Sequence, residues 1–216
     1  MEKNIVILSK SKKYKNYCVA GKDMKTREWI RLISENDGIH NAIEPSDLIY
    51  NDNTEANLLD IVQVTLKDIE EKNKNIYQPE NYILDNCYYL KYITRLKEDE
   101  MDKFVDNSNT IFFNTNNRIS NNDLMSINNV NSLLMLEVNI LKVKIKKSND
   151  DRLTANIKYN QKWYNNLTIT DMAFTKKYYN QVKYYNDINF YNIKIVVSLG
   201  EYYYGYHYKL IATIFD

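Results

Sequence analysis

The chain has 216 residues, of which 44% are hydrophobic and 26% charged, and a formal net charge of +1, a composition typical of a folded globular protein. Four glycines and two prolines are too few for a glycine-rich phosphate loop, which excludes P-loop and dinucleotide-binding motifs. Cys18 and Cys87 lie far apart, which argues against a disulfide framework or a thiolate zinc site. No apolar run is long enough for a signal peptide or a membrane span, so we expect a cytoplasmic protein without a membrane partner.

The charges are unevenly distributed along the chain. Residues 1–34 carry a net charge of +6, residues 35–124 a net charge of −10 and residues 125–216 a net charge of +5. A uniformly basic nucleic-acid binder is therefore excluded, although each basic end could present a basic surface. Ordinary solvated faces that differ in charge are the alternative interpretation.

The first half predicts several strands of modest regularity. The predicted strands cover 4–8, 17–24, 28–33 and 59–66, with a helical turn over 46–49 after Pro45. A further strand is expected at either 82–84 or 88–93. An acidic segment after Thr94 predicts a helix start, and the Asn-rich stretch as far as Asn131 predicts a linker with a short helix near Asp123.

The second half has the clearer pattern. Apolar residues alternate from Leu134 to Ile140 and then, in the opposite phase, from Leu141 to Ile145, which predicts one long strand with a β-bulge at the phase change. A turn over 148–151 and a strand over 153–159 follow. Alternation of Trp163, Asn165, Leu167 and Ile169 predicts the next strand, over 163–169, with Trp163 on its inner face and one polar interruption. Thr170 or Asp171 is expected to cap a helix that ends near residue 179. The last two strands are predicted over 192–199 and 206–215.

This order of three strands, a helix and two strands is that of the OB-fold, a five-stranded Greek-key barrel that commonly binds oligonucleotides. The N-terminal half permits the same interpretation. We therefore predict a mainly β protein of two OB-like five-stranded barrels, over 1–94 and 130–216. A helical, Asn-rich connector over 95–129 would join them.

Several short segments, taken in order, resemble the dual OB-containing domain family of prokaryotes. They are Ile5-Val6-Ile7-Leu8, Ser11-Lys12-Lys13, Tyr17-Cys18-Val19-Ala20-Gly21, Trp29-Ile30-Arg31, Ser34, Leu58-Leu59-Asp60-Ile61-Val62, Gln78-Pro79-Glu80-Asn81-Tyr82, Thr170-Asp171, Val197-Ser198-Leu199-Gly200-Glu201, Gly205-Tyr206 and Tyr208-Lys209-Leu210. The resemblance implies two OB-like barrels that bind nucleic acid or a nucleotide in conflict systems such as phage defence, and it implies no particular reaction. The chain departs from the family pattern at Lys15 and Asn16, where a glycine pair is common, and at Leu32, where a proline is usual.

Lysines supply the candidate nucleic-acid contacts. The strand phase places Lys142, Lys144 and Lys146 on one face, and Lys158 is expected on the polar side of the next strand. Phosphates could bind along this surface and bases could stack on a neighbouring aromatic side chain such as Tyr164. A solvated, lysine-rich sheet face is the alternative. Just after the first predicted strand, three further candidates follow: Lys10, Lys12 and Lys13.

Four residues are candidates for a ligand pocket. Trp29 and Arg31 are expected on the same side of one strand, and a buried arginine requires either a salt bridge, here to Asp60 or Glu201, or an anionic ligand. Ser198 and Glu201 form a polar group in the C-terminal hairpin, which is either a turn or a ligand-lining loop. The 20 tyrosines either fill the edges of the barrels or stack on bases.

The chain offers little for catalysis. His40 and His207 are its only histidines, and the sequence has neither a spaced set of metal ligands nor an activated nucleophile. We predict no enzyme activity, no cofactor and no metal. The leading prediction is a non-catalytic module that binds nucleic acid, with single strands favoured, in a prokaryotic defence or conflict system. The alternatives are binding of a nucleotide or small anion, and a protein-interaction subunit that docks onto an effector protein.

Overall fold

The computed structural model describes residues 1–67, 77–126, 131–147 and 151–216. These residues form two compact units, Met1–Phe104 and Val105–Asp216. The segment predicted as a connector, 95–129, is divided between the units: a 3-10 helix belongs to the first and a short strand to the second. Most of the turn predicted over 148–151 and the linker residues 127–130 lie outside the described residues.

The described part of the first unit contains one six-stranded sheet. Its strands are β1 (Glu2–Lys13), β2 (Asn16–Asp23), β3 (Trp29–Ile33), β4 (Asp60–Thr65), β5 (Asn81–Ile83) and β6 (Lys91–Arg95). They lie in the order β5-β3-β2-β1-β4-β6, and only the β3–β5 pair is parallel. The two segments predicted as alternatives for a further strand are therefore both strands. The 3-10 helices cover Asp37–Ile39, Pro45–Leu48 and Glu98–Phe104.

The core of this unit is built on β1. All four residues from Ile5 to Leu8 are buried, as expected for a central strand covered on both faces. The pairing of β1 with β2 shifts register just after Ile7, which lies opposite Gly21. A Cβ atom at Gly21 would lie 2.1 Å from the carbonyl oxygen of Val6, so this close approach of two backbones requires a glycine.

The described part of the second unit contains six strands and two helices. They are β7 (Arg118–Ser120), α1 (Asn121–Met125), β8 (Leu133–Lys146), β9 (Arg152–Tyr159), β10 (Lys162–Ile169), α2 (Met172–Tyr185), β11 (Asp187–Tyr203) and β12 (Tyr206–Phe215). The strand order is β10-β9-β8-β11-β12-β7, and β12 also pairs in parallel with β10. Asp171 caps α2, because its Oδ1 accepts a hydrogen bond from the backbone N–H of Phe174 at 2.9 Å.

The reversal of the apolar alternation predicted in β8 is confirmed, but it does not come from a β-bulge in β8, because β8 pairs with both neighbouring strands without a register shift. Val138 and Leu141 are both fully buried, so the alternation reverses between them. Their partners in β11 are Ile193 and Phe190, without a register shift, and Asn192 has a φ of 49°. Both strands therefore change phase at the same level, and the left-handed asparagine accommodates the change in β11.

In β10 the predicted alternation is wrong for the first half of the strand. Trp163 was expected on the inner face but is 43% exposed, whereas Tyr164 is fully buried. The register with β9 shifts between Tyr164 and Leu167, and Asn166 has a φ of 58°, so a β-bulge reverses the faces. The hydroxyl of Tyr164 accepts a hydrogen bond from the backbone N–H of Ile111 at 3.2 Å, and its ring is not available for base stacking.

Candidate nucleic-acid interface

The four lysines predicted to share a surface lie on one face of the second unit. Lys142 and Lys144 of β8 alternate with buried apolar residues, and Lys146 is exposed at the end of the strand. Lys158 of β9 is the cross-strand partner of Ile140, and directly opposed residues project from the same face of a sheet. We call the surface formed by Ile140, Lys142, Lys144, Lys146, Lys158 and their cross-strand neighbours the lysine face.

Two exposed aromatic side chains lie in the same cross-strand row. Trp163 of β10 is opposite Lys158, and Tyr191 of β11 is opposite Ile140. Their exposed fractions are 43% and 66%. The sequence did not reveal this arrangement, because the bulge reverses the face of Trp163 and because Tyr191 precedes the predicted start of its strand. The row therefore presents aromatic planes on both sides of a lysine, as single-strand binding surfaces do.

The lysine face keeps an excess of positive charge. Arg152 of β9, opposite Lys146, adds a fifth cation. The carboxylate of Asp187 lies 2.8 Å from the Nζ of Lys142, so one of the lysines is already paired. Glu137, farther along β8, lies 3.9 Å from the Nζ of Lys194. Among the described residues, the five cations of the face outnumber the carboxylates of Asp187 and Glu137.

In the first unit, Lys10, Lys12 and Lys13 lie within β1 rather than after it, because β1 remains paired with β2 as far as Lys13. The Nζ of Lys10 donates to Glu55 Oε1 at 2.7 Å and to the carbonyl of Ala56 at 2.8 Å, so this lysine anchors the segment before β4. Lys12 is exposed and Lys13 is half-buried. These three lysines do not form a single exposed cluster.

Arg31 is buried, and its partner is Glu80. The distance from Nη2 to Glu80 Oε1 is 3.2 Å, and Nη1 lies 3.0 Å from the Sγ of Cys18. The backbone N–H of Arg31 also donates to the carbonyl of Glu80 at 2.8 Å. The parallel pairing of β3 with β5 brings Glu80, just before β5, next to the arginine. Arg31 therefore forms a salt bridge, but with Glu80 rather than with either of the two carboxylates named from the sequence.

The two partners expected for this arginine are engaged or placed elsewhere. Asp60 accepts a hydrogen bond from Arg95 at 3.0 Å, and Glu201 is exposed in the second unit. Ser198 is buried in β11. Trp29 is buried in the first unit, with the Nζ of Lys22 5.1 Å from its ring centroid. The four candidates for a ligand pocket are therefore divided between the two units.

A family model described as the dual OB-containing domain matches residues 3–214. The chain belongs to the dual OB-containing domain family. The resemblance drawn from the sequence motifs is therefore confirmed, and the two six-stranded sheets give this dual OB protein its mainly β architecture. A comparison with curated proteins found no match. Membership in this family indicates an OB-fold binding module.

A cleft of ≈ 300 Å³ lies in the first OB unit and contains none of the predicted site residues. It is lined by Ser34, Glu35, Asn36, Ile43, Asp47, Leu84 and Asn86. The carboxylate of Glu35 is bound by the Nζ of Lys67 at 2.5 Å. None of these seven lining residues is a lysine or an arginine, and Asp47 adds a carboxylate, so this cleft does not favour the nucleotide or small-anion alternative.

Within the four described ranges, no three side chains of the metal-ligating types His, Cys, Asp and Glu are grouped as they would be around a metal ion. None of the helices in that part of the chain is both long and apolar enough to cross a membrane. Cys18 and Cys87 are free thiols, consistent with their separation in sequence.

Proposed function

We propose that the second OB unit binds single-stranded nucleic acid on the lysine face. The observation that carries this proposal is the row in which Lys158 lies between the exposed ring of Trp163 and Ile140, with Tyr191 beyond. Alternate residues of a strand lie about 6.7 Å apart, so the lysines of β8 form a regular line of positive charge. Such a line can follow a phosphate backbone while the aromatic rings stack on its bases.

Single strands are favoured over duplexes because stacking on a side chain requires an unpaired base. A binding site for a small anion is less well supported, because such a site needs a positively charged side chain that is not already paired with a carboxylate of the protein. The buried guanidinium of Arg31 is bound to Glu80 at 3.2 Å. The side chains of the lysine face, by contrast, reach solvent: Lys142, although paired, is 41% exposed.

We propose further that the module is not itself an enzyme and that any chemistry belongs to an effector protein that binds to it. The absence of a catalytic motif in the sequence supports this part of the proposal. The family resemblance described above supports a further part of the proposal, a role in a prokaryotic defence or conflict system.

The test measures the anisotropy of fluorescent oligonucleotides, DNA and RNA, over a range of salt concentrations. Each phosphate contact contributes about 0.7 to the log–log slope of affinity against salt for single strands. The double variant Lys144→Gln/Lys158→Gln should lower this slope by about 1.4. Lys142 is less informative because Asp187 already pairs with it.

The matched control is Lys176→Gln/Lys183→Gln, which removes the same charge from exposed positions of α2. It should leave the slope nearly unchanged. If wild-type protein does not bind oligonucleotides at low ionic strength, or if the control lowers the slope as much as the test variant does, the lysine face is only a solvated surface.

A further inference from the structure

The hairpin of β11 and β12 carries a cluster of tyrosines outside the lysine face, in which Tyr203 and Tyr204 are exposed and Tyr206 and Tyr208 are half-buried. Tyr203 and Tyr206 are cross-strand partners, and the ring centroid of Tyr208 lies 6.4 Å from that of Tyr203 and 6.5 Å from that of Tyr206. Arg118 of β7 lies opposite Tyr208, and its guanidinium carbon is 4.0 Å from the ring centroid of Tyr206. We call these four residues, with Tyr204 at the turn, the tyrosine hairpin.

The exposed tyrosine rings are not needed to fill the core of the second unit. Tyr203 and Tyr204 are 62% and 81% exposed. The inward positions of β12 are occupied by His207 and Lys209, which are both buried. A contiguous group of exposed aromatic side chains is unusual on a protein surface and commonly marks a place where something binds.

A series of paired strands connects the tyrosine hairpin with the lysine face. β12 pairs with β7, and Asn117, just before β7, donates from Nδ2 to the carbonyl of Asn166 in β10 at 3.4 Å. β10 pairs in turn with β9, where Trp163 lies opposite Lys158. Because β10 and β12 run parallel, Trp163 and Tyr206, each near the start of its strand, lie at the same end of the unit.

We propose that a single strand of nucleic acid runs from the lysine face across β9, β10 and β7 to the tyrosine hairpin, where tyrosine rings stack on unpaired bases and Arg118 binds a phosphate. This inference rests on the proposed function and adds a second contact region to the same site. Charge complementarity identifies the occupant: Arg118 is exposed, and among the described residues its guanidinium has no carboxylate partner. Stacking on Tyr206 holds the guanidinium plane while its N–H groups remain free to bind a phosphate.

The test compares Tyr203→Ala, Tyr203→Phe and Arg118→Gln with wild-type protein on an oligothymidylate of about 16 nucleotides, the upper site size of one OB unit. Loss of one base stack should lower the affinity about 5- to 150-fold for Tyr203→Ala. Tyr203→Phe keeps the ring and should bind like wild type. Arg118→Gln should lower the salt slope by about 0.7, whereas Tyr203→Ala should leave the slope unchanged because the tyrosine carries no charge.

The matched control is Tyr184→Ala, which removes a tyrosine that is 79% exposed in α2 and should not change binding. A scan with oligonucleotides that carry one abasic nucleotide provides a second measurement. At the stacking position, removal of the base should weaken binding to wild-type protein but should have no further effect on Tyr203→Ala.

The outcomes separate this inference from the proposed function. If wild-type protein binds no oligonucleotide, both fail. If wild-type protein binds, and Lys144→Gln/Lys158→Gln lowers the salt slope while Tyr203→Ala and Arg118→Gln bind like wild type, the hairpin lies outside the site and only the inference is overturned. The same conclusion follows if Tyr184→Ala weakens binding as much as Tyr203→Ala does.

Discussion

Lys209 should make the stability of the second unit depend on pH. The side chain is 1% exposed, and its Nζ donates to the carbonyl of Ile111 at 2.6 Å and to the carbonyl and Oδ1 of Asn114 at 2.5 and 2.9 Å. These acceptors satisfy the three N–H groups of the ammonium and hold the segment before β7 against β12. Burial lowers the pKa of Lys209 to about 7, since none of the three acceptors carries a charge that would offset desolvation.

The direction of the effect follows from proton linkage. In the unfolded chain the pKa of a lysine is about 10.4, so between about pH 7 and pH 10 the unfolded state holds a proton that the folded state has released. The free energy of unfolding therefore rises with pH in this window, and it is lowest below the folded pKa, where the ammonium is charged and buried. From about pH 6.5 to about pH 9, Lys209 should contribute a rise of about 2.5 kcal/mol.

The measurement is urea unfolding of wild type and Lys209→Met at several pH values. Methionine keeps the length of the side chain and removes the titrating group. With Trp29→Phe in both backgrounds, the fluorescence of Trp163 reports on the second unit alone. The difference in free energy of unfolding between the two proteins should change by about 2.5 kcal/mol over this range, whereas exposed Lys176→Met should show no such change. Parallel pH profiles for wild type and Lys209→Met would refute the reasoning.

Two further predictions concern the first unit. Arg31→Met should lower the free energy of unfolding of the first unit by about 3–5 kcal/mol, because Glu80 is left charged and buried. Adding Glu80→Gln should recover part of this loss. Equal stability of the single and double variants in urea titrations would contradict the assignment of this pair. Gly21→Ala should cost about 1–3 kcal/mol, since the new Cβ would lie 2.1 Å from the carbonyl oxygen of Val6. An unchanged thermal midpoint for Gly21→Ala would show that the two strands can move apart without cost.

The sequence alone determined most of the secondary structure and the order of the elements. Strands show an alternation of period two that depends only on neighbouring residues, and this was sufficient for the strands from Leu133 to Lys146 and from Arg152 to Tyr159. A helix cap at Thr170 or Asp171 was recognisable because a capping hydrogen bond spans only three residues, and the structure shows that Asp171 is the cap. The family was recognisable from motifs whose order is preserved along the chain.

The tertiary structure decided which polar and aromatic residues meet. The bulge at Asn166 reverses the faces of Trp163 and Tyr164, and the sequence of this strand gave no signal of it because Trp163 and Leu167 fit a single alternation phase. Arg31 is bound by Glu80, 49 residues away, and the ammonium of Lys209 binds a carbonyl 98 residues away. Such contacts depend on which strands pair and in what register, and that pairing is fixed by burial of the whole sheet rather than by any local stretch of sequence.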